Sequence, residues 1–586
     1  LARDEVEEAE SLVAYLNDDD PEIRAQVAKT LGDVRYPGAA DALLPLLEDE
    51  SLRVQFFATE ALGRIQHGPA VQPIVDMLEV NNDRDIYLRH AGAIALTRIG
   101  DAQAIAPLSD HPSEAVRIAA VVALKRMDAP EVARFLSDDS EFVVTNAARA
   151  INDDALIKEA LPDLARMLDQ HTFTNTPLLR RAINACLYHG TAADAKRLAS
   201  FATREDVSDS LRTEAIATLS VWPEPSTLDR VTGRYRGEIQ NSKADAVQAL
   251  SAVTDPLLSG ENDEIKIALI KAVSTLQMNE ATSDLFALMQ GQSSPEVAVA
   301  VLNALRDLDF EEMDKAVEMA LSSDSQRLRM TALRLTPSLE ISNSQKVTLL
   351  ASVLNEGSVV EQQSAIKALG SIASDEATEV LIGQFEKLMS GSLPEEIHLE
   401  VVSTADSLDS EKLNALLERY EEAKPEDDKV AQYRETLYGG DALRGAEIFY
   451  NDNTAQCIRC HAVGGDGGNV GPDLSAIGDL LNREQLLESM VAPNKRIAPG
   501  FGSVTVTTDG GQQLQGVLEE ETDSYITVQI AEDETRQIPK EEIAEQTNSP
   551  SGMYSMEGIL TKRELRDLVE FLSRRTEETA DEENRQ

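Results

Sequence analysis

Cysteine is scarce in this chain: three residues in 586, Cys186, Cys457 and Cys460. A zinc site needs about four ligands, and no second Cys-x-x-Cys exists to supply them. Basic residues are also few, 54 Lys and Arg against 103 Asp and Glu, for a net charge of −49. That balance disfavours nucleic acid, whose phosphates call for Lys and Arg, and disfavours an anionic membrane surface. It suits a highly soluble protein, in salty surroundings or with a basic partner. Aromatics make up only 4% of the chain. With Ala and Leu abundant, this favours helices packed through small side chains. No apolar run is long enough for a membrane-spanning helix. The opening "LARDEVEEAE" is charged, is no signal peptide and does not begin with Met; it reads as the start of something processed or cut from a longer chain.

A chain of this length exceeds one hydrophobic core, so several domains or a repeat array are expected. The repeats are visible. "DDDPEIRAQVAKTLGDV" from Asp18 is echoed by "EDESLRVQFFATEALGRI" from Glu48 and by "DRDIYLRHAGAIALTRIG" from Asp83. Equivalent positions fall at Arg24, Gln55, Arg89, Arg117, Val144, Arg180 and Arg212, in steps of 31, 34, 28, 27, 36 and 32 residues. An Asp, Ser or Pro start supplies an N-cap and a first-turn proline, and "LG" with a short loop ends a helix. Each unit is two helices that cannot bury their apolar faces alone, so units stack. The pattern resembles HEAT repeats of the short kind. It covers about 12 to 13 units to Glu422 and blurs near Pro223–Asp263. The repeated Arg and Asp read as inter-repeat ion pairs and caps. Cys186 reads as a buried, inert thiol, and the histidines His67, His90, His111, His171, His189 and His398 show no metal-ligand spacing.

The composition shifts to charge, Pro and Gly over residues 423–440, which reads as a linker. Beyond it stands "AQCIRCHAVG", with Cys457, Cys460 and His461. A thioredoxin-type dithiol wants a βαβ setting, and the flanks here are helical and loop-like. Cys-x-x-Cys-His is the attachment signature of haem c: two thioethers from Cys457 and Cys460, with His461 placed to ligate iron. "GDALRGAEIFYND" before it, "NREQLLESMVAP" after it and "TKRELRDLVEFLSRRT" near the end read as helices, the last with Thr561 and Glu564 as a capping box. No histidine follows His461, so methionine is the expected sixth ligand. Residues 501–547 alternate and are β-branched, and read as about five short strands, a small SH3-like barrel. Its role is either a lid over the haem edge or a docking surface.

"GNVGPDLSAIG" (468–478) resembles the GPDL loop of class I cytochromes c. That resemblance implies that the Pro472 carbonyl accepts a hydrogen bond from the far nitrogen of His461. "SPSGMYSMEGILTK" (549–562) resembles the ending of a family of haem-binding domains, with Tyr554 where the family usually has Pro. It implies that Met553 is the axial ligand, with Met556 the alternative; Met490 reads as core. The whole chain resembles exported bacterial proteins that join HEAT repeats to a C-terminal haem-binding domain, commonly behind a sorbosone- or glucose-dehydrogenase-like β-propeller. The expected fold is therefore mostly α. It comprises a HEAT-like α-solenoid (1–422), a linker (423–440), and a cytochrome c domain in two parts (441–500 and 548–576) around the β insertion (501–547). An acidic tail (577–586) follows.

The expected function is one-electron transfer by a single covalent haem c in the periplasm or another exported location. The chain itself would not be an enzyme, and its partner would be a dehydrogenase or a small electron carrier. No direct membrane span or nucleic acid is expected, and the oligomeric state is left open. The competing expectations are an interaction scaffold with a structural or sensory haem, and a peroxidase-like enzyme, which usually needs a second haem.

Overall fold

A computed structural model describes residues 6–578, apart from 292, 409, 499, 532 and 533. Nearly all of the acidic tail thus lies outside the described residues. The chain forms two compact units, Leu1–Glu311 and Glu312–Gln586. Both are built mainly of helices, with strands concentrated near the carboxyl end. No described helix is long and apolar enough to cross a membrane.

In the first unit the repeats are helical hairpins. Helix Pro21–Asp33 shows why: Asp20 accepts from the Glu22 amide as N-cap, Pro21 stands in the first turn, and Ala25, Ala28, Leu31 and Gly32 form the buried stripe. Small residues let neighbouring helices touch. A Cβ on Gly32 would lie 2.7 Å from the Ala61 Cα, and one on Gly63 would lie 2.6 Å from the Ala95 Cα. The recurring arginines bind the stack. Arg24 Nε donates to Asp49 at 2.8 Å and Arg117 Nε to Asp138 at 2.6 Å, each pair joining one repeat to the start of the next. Arg212 departs from this pattern: it donates to the Ala202 carbonyl and to Asp209 in its own helix. Where the repeat pattern blurs, the segment between helices Asp209–Ser220 and Lys243–Ser251 is irregular, with a bridge between Leu228 and Tyr235 and the side chain of Trp222 fully buried. Cys186 is also fully buried, and burial pushes its thiol well above the usual range, as an inert core residue requires.

The second unit begins with more helical hairpins, up to helix Glu411–Glu422, around a core that includes Leu350, Ile366, Leu369, Phe385 and Leu413. Residues 423–440 then depart from the sequence reading. They are a packed strap instead of a loose linker. Lys424 and Glu435 are buried and paired at 3.1 Å, Lys562 also donates to Glu435, and Leu437 enters the C-terminal domain's core. The segment reads as a linker because of its charges, and two of them, Lys424 and Glu435, are neutralised inside.

Burial raises the Glu435 carboxyl, but Lys562 and Lys424 outweigh it, and the net shift is below the usual glutamate value. A depressed folded-state value stabilises above the unfolded-state value and is lost as pH falls through the folded one. Stability of this unit should therefore fall in acid, below the ordinary glutamate range. Glu435→Gln should flatten that part of the curve in denaturant melts run from pH 6 down to 3; an unchanged slope would contradict the assignment.

Three helices frame the C-terminal domain: Ala442–Asn451, Arg483–Val491 and Lys562–Ser573. The first crosses the last at Gly445, where a Cβ would lie 2.1 Å from the Asp567 carbonyl and 2.6 Å from the Phe571 Cβ. Phe449 and Phe571 pack beside the crossing with ring centroids 5.7 Å apart. Asn482 with Gln485, and Thr561 with Glu564, close capping boxes. Gly445→Val should force these helices apart and cost about 1–3 kcal/mol or more, read as a lower denaturation midpoint of the domain; an unshifted midpoint would mean that the crossing tolerates bulk.

The segment 503–548 forms one antiparallel sheet of five strands: Ser503–Thr508, Gln513–Glu521, Tyr525–Ala531, Glu534–Pro539 and Ile543–Asn548. The first four form a meander, and after a short 3-10 turn at Lys540–Glu542 the fifth returns to pair with the first. Val504, Val506, Ile526, Val528 and Ile538 make its own small core. Entry and exit meet, since the Ser549 amide donates to the Ser503 carbonyl at 2.8 Å. The sheet is thus held on a narrow neck between the second helix and the methionine loop.

Candidate functional site

Helix Ala442–Asn451 ends at Asp452, whose carboxylate accepts from the amides of Thr454 and Ala455. Gln456, in the left-handed region at φ 48°, turns the chain into a single 3-10 turn, Cys457–Arg459. The amides of Cys460 and His461 both donate to the Cys457 carbonyl, at 3.1 and 3.0 Å. Two thiols and one imidazole are thereby fixed on one turn. Both cysteines are free; Cys460 is exposed and Cys457 half-buried. Burial pushes the Cys457 thiol up to about 11. That is the reverse of the activated thiolate a redox dithiol uses. Among the described residues no group of three or more His, Cys, Asp or Glu could hold a metal ion, which leaves zinc without a cage.

The loop 471–475 straps this turn. The Gly471 amide donates to the Cys460 carbonyl at 2.7 Å, the Leu474 amide to the Ala462 carbonyl at 2.8 Å, and the Gly464 amide to Ser475 Oγ at 2.8 Å. Between these straps His461 Nδ1 lies 2.9 Å from the Pro472 carbonyl oxygen. A carbonyl only accepts, so Nδ1 carries the proton and Nε2 keeps its lone pair for a metal. Gly471 lies against the ring: a Cβ there would come within 2.5 Å of His461 Cε1. This glycine was not singled out from sequence, because only the folded loop reveals how near the ring comes.

The methionines separate by environment. Met556 is buried, and its amide donates to the Met490 carbonyl at 2.8 Å, so both belong to the core. Met553 is half-buried and packs on the same core as Cys457, Ile458 and Leu474, with its amide donating to Ser551 Oγ at 3.1 Å. Tyr554 beside it is 80% exposed. The Ser551 amide in turn donates to Asn494 Oδ1 at 2.7 Å, anchoring the methionine loop beyond the second helix. The donor set fits a haem c: two free thiols on one turn, an imidazole presented through Nε2, and a thioether half-exposed on the same core.

Comparison with known proteins agrees at this level. The HEAT-repeat family matches residues 9–86 and the cytochrome c family matches residues 442–575. HEAT repeats and a C-terminal cytochrome c domain are therefore present, and the latter implies a haem c cofactor. A curated relative, the bilin biosynthesis protein PecE of Nostoc sp. (strain PCC 7120), is 33% identical over 155 residues. That match covers 24% of this chain and 60% of the relative, so the chain spans less than two thirds of the curated protein it matches. Among solved structures, the CpcE and CpcF complex of phycocyanin lyase from Nostoc sp. PCC7120 is 24% identical with a TM-score of 0.20, covering 36% of this chain and 86% of that one. Kap121p bound to Pho4p is 12% identical with a TM-score of 0.37, covering 73% of this chain and 49% of that one.

Proposed function

We propose that this chain, with its HEAT repeats and cytochrome c domain, is an exported bacterial electron carrier holding one covalent haem. The observation that carries the reading is the bond from His461 Nδ1 to the Pro472 carbonyl, 2.9 Å long, which readies Nε2 as an axial donor beside two free thiols. Cys457 and Cys460 would hold the group through thioethers, with His461 and Met553 as axial ligands. When bound, such a haem supplies reversible one-electron chemistry at iron. The protein's part is to fix the His461 ring, to hold Met553 against the core and to cover the Cys457 side. The chain itself needs no catalytic residue. A dehydrogenase would be the donor and a second carrier the acceptor, with the repeats as docking platform.

The experiment is direct. Expressed with an intact haem c attachment system, the protein should gain about 0.6 kDa, one haem, by intact mass, and give a pyridine haemochrome spectrum of the c type. A colourless product without that increment would sink the proposal. Met553→Ala should abolish methionine ligation and lower the potential, since axial ligands move potentials within a range of roughly 0.8 V. Met556→Ala should instead lower stability and leave ligation intact; the opposite assignment would make Met556 the ligand.

A second reading is an interaction scaffold whose haem is structural or sensory. The partial similarity to a protein named for bilin biosynthesis points to a role other than electron transfer, without specifying this one. Ferrous protein that binds carbon monoxide at once, with no methionine to displace, would favour that reading.

A further inference from the structure

The break in the repeat pattern builds a feature that the cytochrome function does not use. Helices Thr176–His189, Asp209–Ser220 and Asp263–Thr275, together with the irregular segment after Ser220, line an open groove of about 660 Å³ within the first unit. Arg180, Arg230 and Lys271 line it, with Glu214 as its one carboxylate. In a chain of net charge −49 this local balance is inverted.

The cations are arranged by the fold. Arg180 is oriented by Glu214, which accepts from Nε at 2.8 Å and from Nη2 at 3.2 Å, and by the Arg230 carbonyl at 3.0 Å. That carbonyl is in place because the neighbouring Asp229 is buried and accepts from the amides of Val231 and Thr232 and from Asn184. Arg230 Nε is enclosed and has no hydrogen-bond partner among the described residues. The rest of the half-buried Arg230 guanidinium also donates no hydrogen bond among the described residues, which leaves its Nη groups for an oxyanion in the groove. Lys271 on the facing helix is exposed and has no carboxylate partner among the described residues. The Thr213 and Ser220 hydroxyls already donate to the Ser210 and Ala217 carbonyls, while Ala217, Val221 and Ala268 supply apolar lining.

We propose that this groove binds a small organic anion carrying at least two negative charges, its oxyanions held by Arg230, Lys271 and Arg180 and its carbon body on the apolar lining. Carboxylate and phosphate share this chemistry. Isothermal titration of the full-length protein at low salt, with citrate in one arm and inorganic pyrophosphate in the other, distinguishes them. At least one should bind, and raising the salt from 20 to about 200 mM should weaken binding severalfold. Lys271→Ala and Arg230→Gln should each weaken it about tenfold. Arg53→Ala, a control at an exposed site in another repeat, should not change it. Unchanged helical circular dichroism would establish that the variants fold. Absence of heat with both probes, or equal affinity in the wild type and both groove variants, would overturn the proposal.

Discussion

Arg566→Ala is expected to cost about 3–5 kcal/mol and to loosen the cytochrome domain from the repeats of its own unit. Glu400, on helix His398–Ser407, is fully buried, and Arg566 Nη1 donates to its Oε2 at 2.7 Å from a side chain only 5% exposed. The other carboxylate oxygen has no hydrogen bond and faces Lys367 at 3.5 Å and Arg563 at 3.8 Å. Removing Arg566 therefore leaves a buried charge with two looser partners. Lys367 and Arg563 are 41% and 39% exposed, so either must leave water and move inward to replace the lost bond. The penalty is that of an orphaned charge, so it depends on which partners are removed. Glu400→Ala should also destabilise, because Arg566 then lacks its acceptor. Replacing both at once, with Glu400→Leu and Arg566→Met, should recover most of the loss, since well-packed apolar side chains of similar volume often match a buried pair. Denaturant melts followed through the haem absorbance report this domain, and a double-mutant cycle gives the coupling. Single losses below about 1 kcal/mol would mean that the pair is solvated and the joint is soft.

The cysteine turn and the joint are unequally legible in the sequence, for a physical reason. Cys457, Cys460 and His461 sit within five residues, so their Cys-x-x-Cys-His spacing is visible in the sequence itself. The capping box of Thr561 and Glu564 is local as well, and helix Lys562–Ser573 forms as its stripe requires. Pro472 was reached through resemblance to a known loop, eleven residues from His461. Glu400 could not be found in this way. In "EEIHLEVV" it looks like any acid on a solvated helix face, and its partner Arg566 is 166 residues away. The strap at 423–440 failed for the same reason: Lys424 and Glu435 look like linker charges until the fold brings them together. The blurred stretch after Trp222 carried a signal, the lost period, but what fills that gap is set by Asp229 meeting Asn184, 45 residues back. Local periodicity and local chemistry could be read directly; pairings across the chain could not.

The same contrast predicts that Gly471→Ala will damage the site more than Pro472→Ala, although proline is the residue whose group touches His461. The acceptor at Pro472 is a backbone carbonyl. Alanine keeps that carbonyl and loses only the ring's restraint on φ, so the hydrogen bond should persist and the spectrum should change little. At Gly471 the added Cβ would sit 2.5 Å from His461 Cε1 and 2.8 Å from Nδ1. Carbon atoms keep about 3.5 Å apart at contact, so either the ring or the loop must move. The loop is held by the bond from the Gly471 amide to the Cys460 carbonyl at 2.7 Å, so the ring is the freer part. A displaced ring loses the Pro472 carbonyl, and with it the orientation and basicity of Nε2. Changes to such supporting bonds typically cost 10–100-fold in metal affinity or activity. The expected result is a protein that still gains the haem mass through Cys457 and Cys460 but shows weakened histidine ligation, with an altered Soret band and a shifted potential. Retention of the covalent mass separates a misplaced ligand from a failure to fold or attach. A Gly471→Ala protein with the wild-type spectrum and potential would mean that the imidazole has room the structure does not give it, and that the loop's grip on His461 is not what orients the ligand.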